Sequence, residues 1–476
     1  MRKTKIVCTI GPATESEAMI EKLIDAGMEV ARLNFSHGTH ESHLKVIKSI
    51  RDVSRRLNKP ITILQDLQGP KLRVGKIRNG SVQLEKGHSI LISTRNIQGD
   101  ENEISTIYEN LPEDVQPGDR ILLDDGMIQM KVLSVSERKV RCEIIEGGTL
   151  TDHKGINLPG VNVSMPSFTE KDREDLLFGI EQNVDVVAMS FVRKPEDISE
   201  IKKIISDKKK EISVIAKIEK PEAVQYLDDI IEVSDGTMIA RGDLGVELPL
   251  EKVPPLQKKI IQKSRRLGKP VITATQMLES MKAHARPTRA EVSDVANAIF
   301  DGTDAVMLSA ETSIGKYPAE TVRTMARIIV EAEKTHIDFP NLPMNFEHKS
   351  LSIADAISGS ACEAAEQLNA RAIVAFTTSG FTAKMVSKNR PNTNIIVFTP
   401  SEIVQHQLNL CWGVMPLKSE FLQNTDEIVE QTEEVLLSKN LVEKGDIIVI
   451  LLGSPIFIKG TTNLMKLHII GEDSSK

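Results

Sequence analysis

Short apolar runs rich in β-branched residues alternate along this chain with longer segments in which apolar residues recur every three or four positions. The first pattern is typical of buried strands and the second of amphipathic helices. The runs in the first two thirds of the chain are 5–11, 28–36, 61–69, 185–192, 212–219, 236–243, 270–276 and 304–312. Eight strands, each followed by a helix, predict a closed parallel (β/α)8 barrel, or TIM barrel, whose strands are covered on both faces.

A long segment of different character separates the third and fourth runs. Residues 70–166 are rich in glycine, in turn pairs such as Asn79-Gly80 and Asp125-Gly126, and in short alternating segments. These features predict a small β-barrel domain inserted in the third βα connection of the large barrel, which leaves 1–69 and 167–338 for the large barrel itself. After a linker near 338–349 the alternation resumes. We therefore expect residues 339–476 to form a separate open-sheet α/β domain.

Composition excludes several classes of protein. A chain of 476 residues is too long for one compact core, and 40% hydrophobic with 27% charged residues is ordinary for a globular enzyme. The net charge of -7 does not indicate the positively charged surface that binds nucleic acid. The N-terminal segment lacks the apolar centre of a signal peptide, and no apolar stretch has the length of a membrane helix. Four widely spaced cysteines without a CxxC pair indicate reduced thiols. We expect a cytoplasmic protein with no nucleic acid or membrane partner.

Polar residues gather at the ends of seven of the eight runs. In a (β/α)8 barrel the carboxyl ends of the strands meet at one mouth, where active sites lie. The residues at or just beyond these ends are Arg32, Asn34, Ser36, Asp66, Lys71, Arg73, Ser190, Lys217, Glu219, Gly242, Asp243, Thr275, Ser309 and Glu311. A single charged strand end could be accidental, but this many at one mouth predict a site.

The residue types at this mouth indicate the chemistry. Glu219 and Asp243 offer hard oxygen ligands that suit a divalent cation such as Mg²⁺. Lys217 lies two residues before Glu219, so strand pleating puts both on one face, where the ammonium can stabilise a phosphoryl group or a developing enolate. Arg32 and Arg73 are candidate forks for a phosphate. The set predicts phosphoryl transfer or enolate chemistry on a small acidic substrate.

Each candidate also has a structural interpretation. The alternatives are an exposed ion pair for Lys217 and Glu219, pairing with barrel carboxylates for Arg32 and Arg73, a turn cap for Asp66, a helix N-cap for Thr275, Ser309 and Glu311, and a solvated loop lysine for Lys71. The combination of these groups at one mouth favours function for the set.

Nine stretches in order along the whole chain resemble pyruvate kinases. They are CTIGPAT, ARLNFSHGTHESH, DLQGPKLRVG, MSFVRKPEDI, AKIEKPEAV, IARGDLGVELP, TATQMLESM, RPTRAEVSDVANAIFDGTDAVMLSAET and SGFTAKMVSKNRPN. The resemblance implies transfer of the phosphoryl group of phosphoenolpyruvate to ADP, giving ATP and pyruvate through a metal-stabilised enolate that is then protonated. It also implies Mg²⁺ or Mn²⁺ as cofactor, a homotetramer and a phosphorylated allosteric activator.

The resemblance assigns roles to matching positions. Catalysis would rest on Arg73, Lys217, Thr275, Ser309 and Glu311, and the metal ion on Glu219 and Asp243. Substrate would be bound by Arg32, Ser190, Lys217, Gly242, Asp243 and Thr275. The nucleotide would meet Pro12, His37 and Arg73, and a monovalent-cation pocket would form from Asn34, Ser36, Asp66 and Leu67. The inserted domain would close over the nucleotide and exclude water.

One departure from the family pattern concerns the monovalent cation. Many members read DTKGPE at the third strand end and need K⁺, whereas residues 66–71 here read DLQGPK, with Val74 after Arg73. The ammonium of Lys71 is itself a compact monovalent cation. We therefore expect Lys71 to substitute for K⁺ and the enzyme not to require that ion.

A second candidate site lies in the C-terminal domain. A strand there runs into a helix through hydroxyl-rich residues, a pattern that binds anions at helix N-termini. The residues are Thr377, Thr378, Ser379, Gly380 and Thr382. In the family this loop takes the phosphate of an activator, and residues 459–463 could complete the pocket; an ordinary helix cap is the alternative.

Two other functions remain open from sequence. One is another (β/α)8 enzyme that stabilises a metal-bound enolate, such as a lyase or an aldolase. The other is a metabolite-binding regulator without activity. The second predicts damage at Lys217, Glu219, Asp243 or Thr275, and all four are present.

Overall fold

The computed structural model describes residues 2–335, 352–419, 425–453 and 461–472. The chain begins with two βα units and a third strand. Their elements are β1 (Lys5–Thr9), α1 (Glu17–Ala26), β2 (Val30–Asn34), α2 (His40–Leu57) and β3 (Thr62–Asp66). Helix α2 begins at a capping box in which Thr39 and Ser42 satisfy each other's backbone N–H groups, and it ends at Asn58 in the left-handed conformation.

The inserted segment folds as a separate β-rich domain, here called the lid. Its elements are β4 (Ser81–Leu84), β5 (Ser89–Ser93), β6 (Glu103–Ser105), α3 (Leu111–Asp114), β7 (Arg120–Leu123), β8 (Ile128–Ser136), β9 (Lys139–Glu146), β10 (Gly148–Thr151) and β11 (Ile156–Asn157). The strands pair as a six-stranded sheet, β11-β7-β8-β9-β5-β6, and a two-stranded sheet, β10-β4, where the sequence predicted one small barrel. The Asp125-Gly126 turn joins the antiparallel strands β7 and β8 as expected.

The chain then returns to complete the barrel. The elements are α4 (Glu170–Glu181), β12 (Val186–Met189), α5 (Pro195–Asp207), β13 (Ser213–Ile218), α6 (Pro221–Gln225), α7 (Leu227–Val233), β14 (Gly236–Ala240), α8 (Arg241–Glu247), α9 (Val253–Arg266), β15 (Val271–Ala274), α10 (Arg289–Phe300), β16 (Ala305–Leu308), α11 (Ala310–Ser313) and α12 (Pro318–Thr335). Single 3₁₀ turns lie at Arg78–Gly80, Leu250–Lys252 and Glu279–Lys282. The eight parallel strands close in the order β1-β16-β15-β14-β13-β12-β3-β2, which confirms the predicted barrel.

Burial on both faces explains why the barrel strands are continuously apolar. Side chains such as Val7, Leu64 and Met238 fill the barrel interior. Their neighbours in sequence, such as Ile6 and Ile63, pack under the surrounding helices. Polar side chains are therefore tolerated chiefly at the strand ends, and the carboxyl ends form one mouth.

The C-terminal domain is an open α/β sheet. Its elements are α13 (Ile353–Gln367), β17 (Ala372–Phe376), α14 (Phe381–Lys388), β18 (Asn394–Thr399), α15 (Glu402–Leu408), β19 (Val414–Lys418), α16 (Thr425–Ser438), β20 (Ile447–Leu452) and β21 (Leu464–Ile469). The order is β19-β18-β17-β20-β21, with only β21 antiparallel among the described strands. The linker predicted near 338–349 lies outside the described residues.

Buried ion pairs attach this domain to the end of the barrel opposite the mouth. Arg390 donates to Asp304 at 3.0 Å, and His406 lies 3.0 Å from Asp185. Across the described ranges, the helices do not reach the combined length and apolarity that a bilayer crossing requires.

Candidate active site

The barrel brings the predicted residues together because its strands are parallel and in register. Arg32 lies within β2, and Asn34 at the end of that strand is paired with Asp66 at the end of β3. Ser190 follows the last residue of β12, and Lys217 is the penultimate residue of β13. These side chains converge on one mouth, as the sequence predicted.

Lys217 is the centre of this cluster. Its ammonium donates to the hydroxyl of Ser190 at 2.6 Å, and it lies 2.9 Å from a carboxylate oxygen of Glu219 and 3.2 Å from one of Asp66. Burial alone would lower the pKa of Lys217, but Asp66, Glu219 and Asp243 outweigh that effect and raise it. The side chain therefore stays charged, and its position is fixed by three partners. The exposed ion pair considered from sequence is not what the structure contains.

Asp66 holds a second cation in place. This carboxylate is 1% exposed and accepts a hydrogen bond from Arg32 Nε at 2.6 Å. Its burial opposes ionisation, but Lys217 and Arg32 together lower its pKa. Arg32 also donates to Thr9 Oγ1 at 2.8 Å, and Thr9 in turn donates to the carbonyl of Leu308. The guanidinium is thus oriented by partners on two neighbouring strands.

Glu219 and Asp243 form the carboxylate pair predicted for a divalent cation. Glu219 is buried, and one oxygen accepts the N–H of Phe191 at 2.9 Å. Burial, reinforced by the charge of Asp243, raises the pKa of Glu219 despite the opposing effect of Lys217. Asp243 is half-buried, and no hydrogen bond or ion pair within the described ranges engages its carboxylate. A carboxylate pair short of positive charge fits a hard divalent cation.

The pair is not a complete metal site by itself. Throughout the part of the chain that the structure describes, no three or more His, Cys, Asp or Glu side chains gather as metal ligands. Two protein carboxylates leave most coordination positions for other oxygens, which is the usual arrangement for Mg²⁺ in phosphoryl transfer.

Thr275 lies where β15 leaves the barrel. Its backbone is in the left-handed region, with φ of 67°, and its hydroxyl accepts the N–H of Gly242 at 2.8 Å and donates to the carbonyl of Ala274. The helix N-cap role considered from sequence is wrong, because the following 3₁₀ turn begins after Leu278. The strained backbone instead aims the hydroxyl at the start of α8.

Ser309 and Glu311 lie beyond β16, where the sequence placed them. Glu311 is fully buried, and its two oxygens accept backbone N–H groups from Ser309 at 2.7 Å and Leu278 at 3.2 Å. Burial raises its pKa. The carboxyl group therefore joins the loops after the last two strands.

The predicted monovalent-cation and nucleotide residues lie on the same side of the mouth. Asn34 Oδ1 accepts the N–H of Ser36, and Leu67 is buried with its carbonyl bound to Ser190. Pro12 and His37 are exposed. Partial burial, followed by the charges of Arg73, Lys71 and Arg32, lowers the pKa of His37.

Lys71 and Arg73 lie on the segment that enters the lid. Lys71 is exposed and lines the cleft between lid and barrel, together with Asp125, Asn157 and Asp243. Arg73 donates to the carbonyl of His153 at 2.9 Å within the lid. Lys71 therefore faces the cleft, while Arg73 is held by the base of the lid.

The two crossings between barrel and lid are held by residues that sequence reasoning missed. At the first, the N–H of Gly69 donates to buried Asp172 at 2.9 Å, and a Cβ at Gly69 would lie 2.6 Å from the ring of Phe191. At the second, Arg193 donates to the carbonyls of 163 and 165 and to Ser167. The position of Arg193 within the MSFVRKPEDI stretch, four residues past the end of β12, was the available signal.

The C-terminal loop has the predicted strand-to-helix geometry. Thr377 accepts the N–H of Gly380 at 2.9 Å, and Gly380, with φ of 80°, precedes α14. Thr382 lies 2.8 Å from Thr462, which brings the second loop beside the first. Thr378 and Ser379 are half-buried. Lys459 and Gly460 lie outside the described residues.

Comparisons with known proteins agree with this fold. Residues 1–322 match the family described as pyruvate kinase, barrel domain, and residues 355–468 match pyruvate kinase, alpha/beta domain. Pyruvate kinases of Staphylococcus aureus strains MRSA252 and USA300 are 50% identical over 475 residues, which cover 99% of this chain and 81% of each relative. The crystal structure of a pyruvate kinase from Cryptosporidium parvum is 38% identical, with a TM-score of 0.91 over 98% of this chain and 96% of that one.

Proposed function

This chain belongs to the pyruvate kinase family, and from that premise we propose that the charged cluster at the barrel mouth is where phosphoenolpyruvate reacts with ADP. The family carries the overall reaction, in which phosphoenolpyruvate and ADP become pyruvate and ATP. Neither another enolate-forming lyase or aldolase nor an inactive regulator is favoured. The proposal rests chiefly on one observation: Lys217 is buried and held by Asp66, Glu219 and Ser190.

The arrangement supports a separate role for each charged residue in the transfer step. Arg32, oriented by Asp66 and Thr9, binds the phosphoryl group of phosphoenolpyruvate. Lys217 neutralises the charge that builds up on that group and on the enolate oxygen, from a position that needs no rearrangement. A Mg²⁺ or Mn²⁺ ion held by Glu219 and Asp243 would supply Lewis-acid stabilisation of the substrate oxygens. Arg73, at the lid base, approaches the phosphoryl group from the nucleotide side.

Protonation of the enolate completes the reaction. Thr275 and the start of α8 receive the substrate carboxylate, and Thr275 lies on one of the two loops that Glu311 joins. We assign Thr275 to proton delivery through water, with Ser309 and Glu311 orienting it. Which group releases the proton is tested by solvent-exchange rates at the methyl carbon of pyruvate in Thr275→Val.

Lys217→Met tests the assignment of the central lysine. The variant should fold and bind phosphoenolpyruvate but lose roughly 10³-fold or more in kcat, because a preorganised charge at the reacting group is removed. Lys202→Met is the matched control, since Lys202 pairs with Asp235 at 2.7 Å on the outer helix layer and should retain turnover. Turnover near that of the unmodified enzyme in Lys217→Met would remove Lys217 from its role.

The proposed K⁺ independence has its own test. Lys71 is exposed in the cleft and contributes to lowering the pKa of His37, which supports its presence near the nucleotide side. Activity in Na⁺ or Tris buffer should therefore match activity with K⁺ added, and Lys71→Glu should create a K⁺ requirement. A rise of orders of magnitude on adding K⁺ to the unmodified enzyme contradicts the substitution.

The remaining proposals concern partners and location. The lid residues and His37 support nucleotide binding in the cleft, and the loop at 377–382 supports a phosphorylated activator. We expect the chain to assemble as a homotetramer, as is usual in the family. Four free cysteines support a reducing cytoplasmic compartment. Titration of activity with sugar phosphates and AMP, before and after Thr382→Val, tests the activator loop.

A further inference from the structure

Glu247 lies at the junction of three parts of the molecule. Its side chain is 2% exposed, and one oxygen accepts hydrogen bonds from Lys220 Nζ at 2.6 Å and from Asn157 Nδ2 at 3.1 Å. Lys220 belongs to the loop after β13, Glu247 is the last residue of α8, and Asn157 belongs to lid strand β11. One carboxylate oxygen therefore joins two barrel segments and the lid.

The two barrel segments are those that carry the proposed cation ligands. Lys220 directly follows Glu219, and Glu247 ends the short helix that has Asp243 in its first turn. The ion pair between Lys220 and Glu247 therefore ties the segment of one ligand to the segment of the other. Because metal affinity depends on how well supporting contacts orient the ligands, this tie bears on the separation of Glu219 and Asp243.

Lys220 is itself held in a defined position. Its ammonium lies 5.6 Å from the centre of the Phe191 ring, and the backbone N–H of Phe191 holds the second oxygen of Glu219. The side chain is 13% exposed. Loss of its carboxylate partner would leave a largely buried charge uncompensated, which favours rearrangement of the loop beside Glu219.

The lid contacts this helix through Asn157, and the turn between β7 and β8 lies near it. Asn157 donates to Glu247, and a Cβ placed on Gly126 at the β7–β8 turn would lie 3.9 Å from Val246. Strand β11 pairs with β7 through Asn157 and Leu122, so Asn157 and this turn belong to one sheet of the lid. Movement of that sheet away from α8 removes a donor from the buried carboxylate.

We propose that Glu247 is a positioning residue that couples the placement of the lid to the divalent-cation affinity of Glu219 and Asp243, through Lys220 on the barrel and Asn157 on the lid. This inference rests on the proposed cation site. Since coupling between two equilibria is reciprocal, cation binding also stabilises the lid in contact with α8. The lid would thus be set over the cleft more firmly once the cation is in place.

The test measures Mn²⁺ affinity of the full chain without nucleotide, from the electron paramagnetic resonance signal of free Mn²⁺. We expect Glu247→Gln to weaken binding roughly tenfold, the lower end of what loss of a supporting partner costs a metal site. Asn157→Ala should weaken it roughly threefold, as expected for one hydrogen bond. In the Glu247→Gln background the effect of Asn157→Ala should shrink, because the two changes act on one network.

Two controls make the result decisive. Asn102→Ala alters another asparagine of the lid, which is exposed at the opposite edge of the six-stranded sheet, and should leave Mn²⁺ affinity unchanged. Glu219→Gln removes a proposed ligand and should abolish tight binding. Mn²⁺ affinity in Asn157→Ala equal to that of the unmodified protein, with binding lost in Glu219→Gln, overturns the coupling and leaves the cation site standing. Unchanged affinity in Glu219→Gln overturns the site and the coupling with it.

Discussion

Asp66→Asn is the substitution that most directly probes the charged cluster. The side chain keeps its shape, but the buried carboxylate that pairs with both Arg32 and Lys217 is lost. Breaking a buried pair on one side costs about 3–5 kcal/mol, because a cation is left uncompensated. Lys217 keeps Glu219 at 2.9 Å and Arg32 keeps Thr9 at 2.8 Å, so the lower end of that range applies.

This magnitude translates into measurable changes. About 3 kcal/mol lowers the thermal midpoint of a domain of this size by about 6–12 °C. The kcat should fall by about 100-fold, because Arg32 and Lys217 both lose the group that orients them for the phosphoryl group. The assays are calorimetry of the unfolding transition and pyruvate formation from phosphoenolpyruvate and ADP.

The pH dependence of the stability difference gives an independent check. The pKa of Asp66 is lowered in the folded protein, so its contribution is present above the unfolded value of about 3.9 and is lost as pH falls through the folded pKa. The gap in stability between the unmodified protein and Asp66→Asn should therefore be constant near neutral pH and shrink below about pH 4.

A matched variant separates catalysis from stability. Asp185 is also a buried aspartate, paired with Arg51 at 2.8 Å, but it lies at the opposite end of the barrel from the mouth. Asp185→Asn should lose comparable stability and keep kcat within about twofold, since only structural contacts change. Equal losses of kcat in the two variants, or an unchanged kcat in Asp66→Asn, would refute the assignment of Asp66 as the organiser of Arg32 and Lys217.

Two further predictions concern single side chains. Thr9→Val keeps the shape of the residue but removes the hydroxyl that accepts a hydrogen bond from Arg32. The KM for phosphoenolpyruvate should rise about three- to tenfold, with little change in melting temperature. An unchanged KM would contradict the orienting role of Thr9. Burial, followed by the charges of Glu363 and Glu366, raises the pKa of Cys362 to about 12. Alkylation of Cys362 at pH 8 should therefore be about a thousandfold slower than that of an ordinary thiol, and its rate should rise about tenfold per pH unit. If Cys362 reacts at pH 8 as fast as a free model thiol, this prediction is wrong.

The barrel was predictable because its strands are covered on both faces and so appear as continuous apolar runs. The C-terminal strands followed the same rule. Helix α15 was not predicted: it has seven residues, EIVQHQL, between two strands, too few for the helical period to be distinguished. The lid strands were predicted as a class, but their pairing as two sheets depends on long-range register that local alternation does not specify.

The site was predictable for a different reason. A parallel barrel brings every strand end to one mouth, so Arg32, Lys217 and Glu219 could be placed together from topology alone. Thr9 was missed because threonine is common in any strand, and only the contact with Arg32 distinguishes it. The left-handed backbone of Thr275 was also not expected, since threonine rarely adopts it and no local signal precedes it.

The charges at the mouth divide into two halves with different electrostatic states. Asp66 lies beside two cations, Lys217 and Arg32, which lower its pKa. The negative charge in this half is therefore compensated by side chains of the protein. Glu219 shares Lys217 with Asp66 and faces the charge of Asp243, and its pKa is raised by burial and by that charge. A cation added beside Glu219 and Asp243 would favour the ionised form of Glu219, so binding of the cation and loss of a proton are linked. The half around Asp66 therefore needs no added ion to balance its charge, whereas the half around Glu219 and Asp243 is short of positive charge, as expected of residues that would hold a divalent cation.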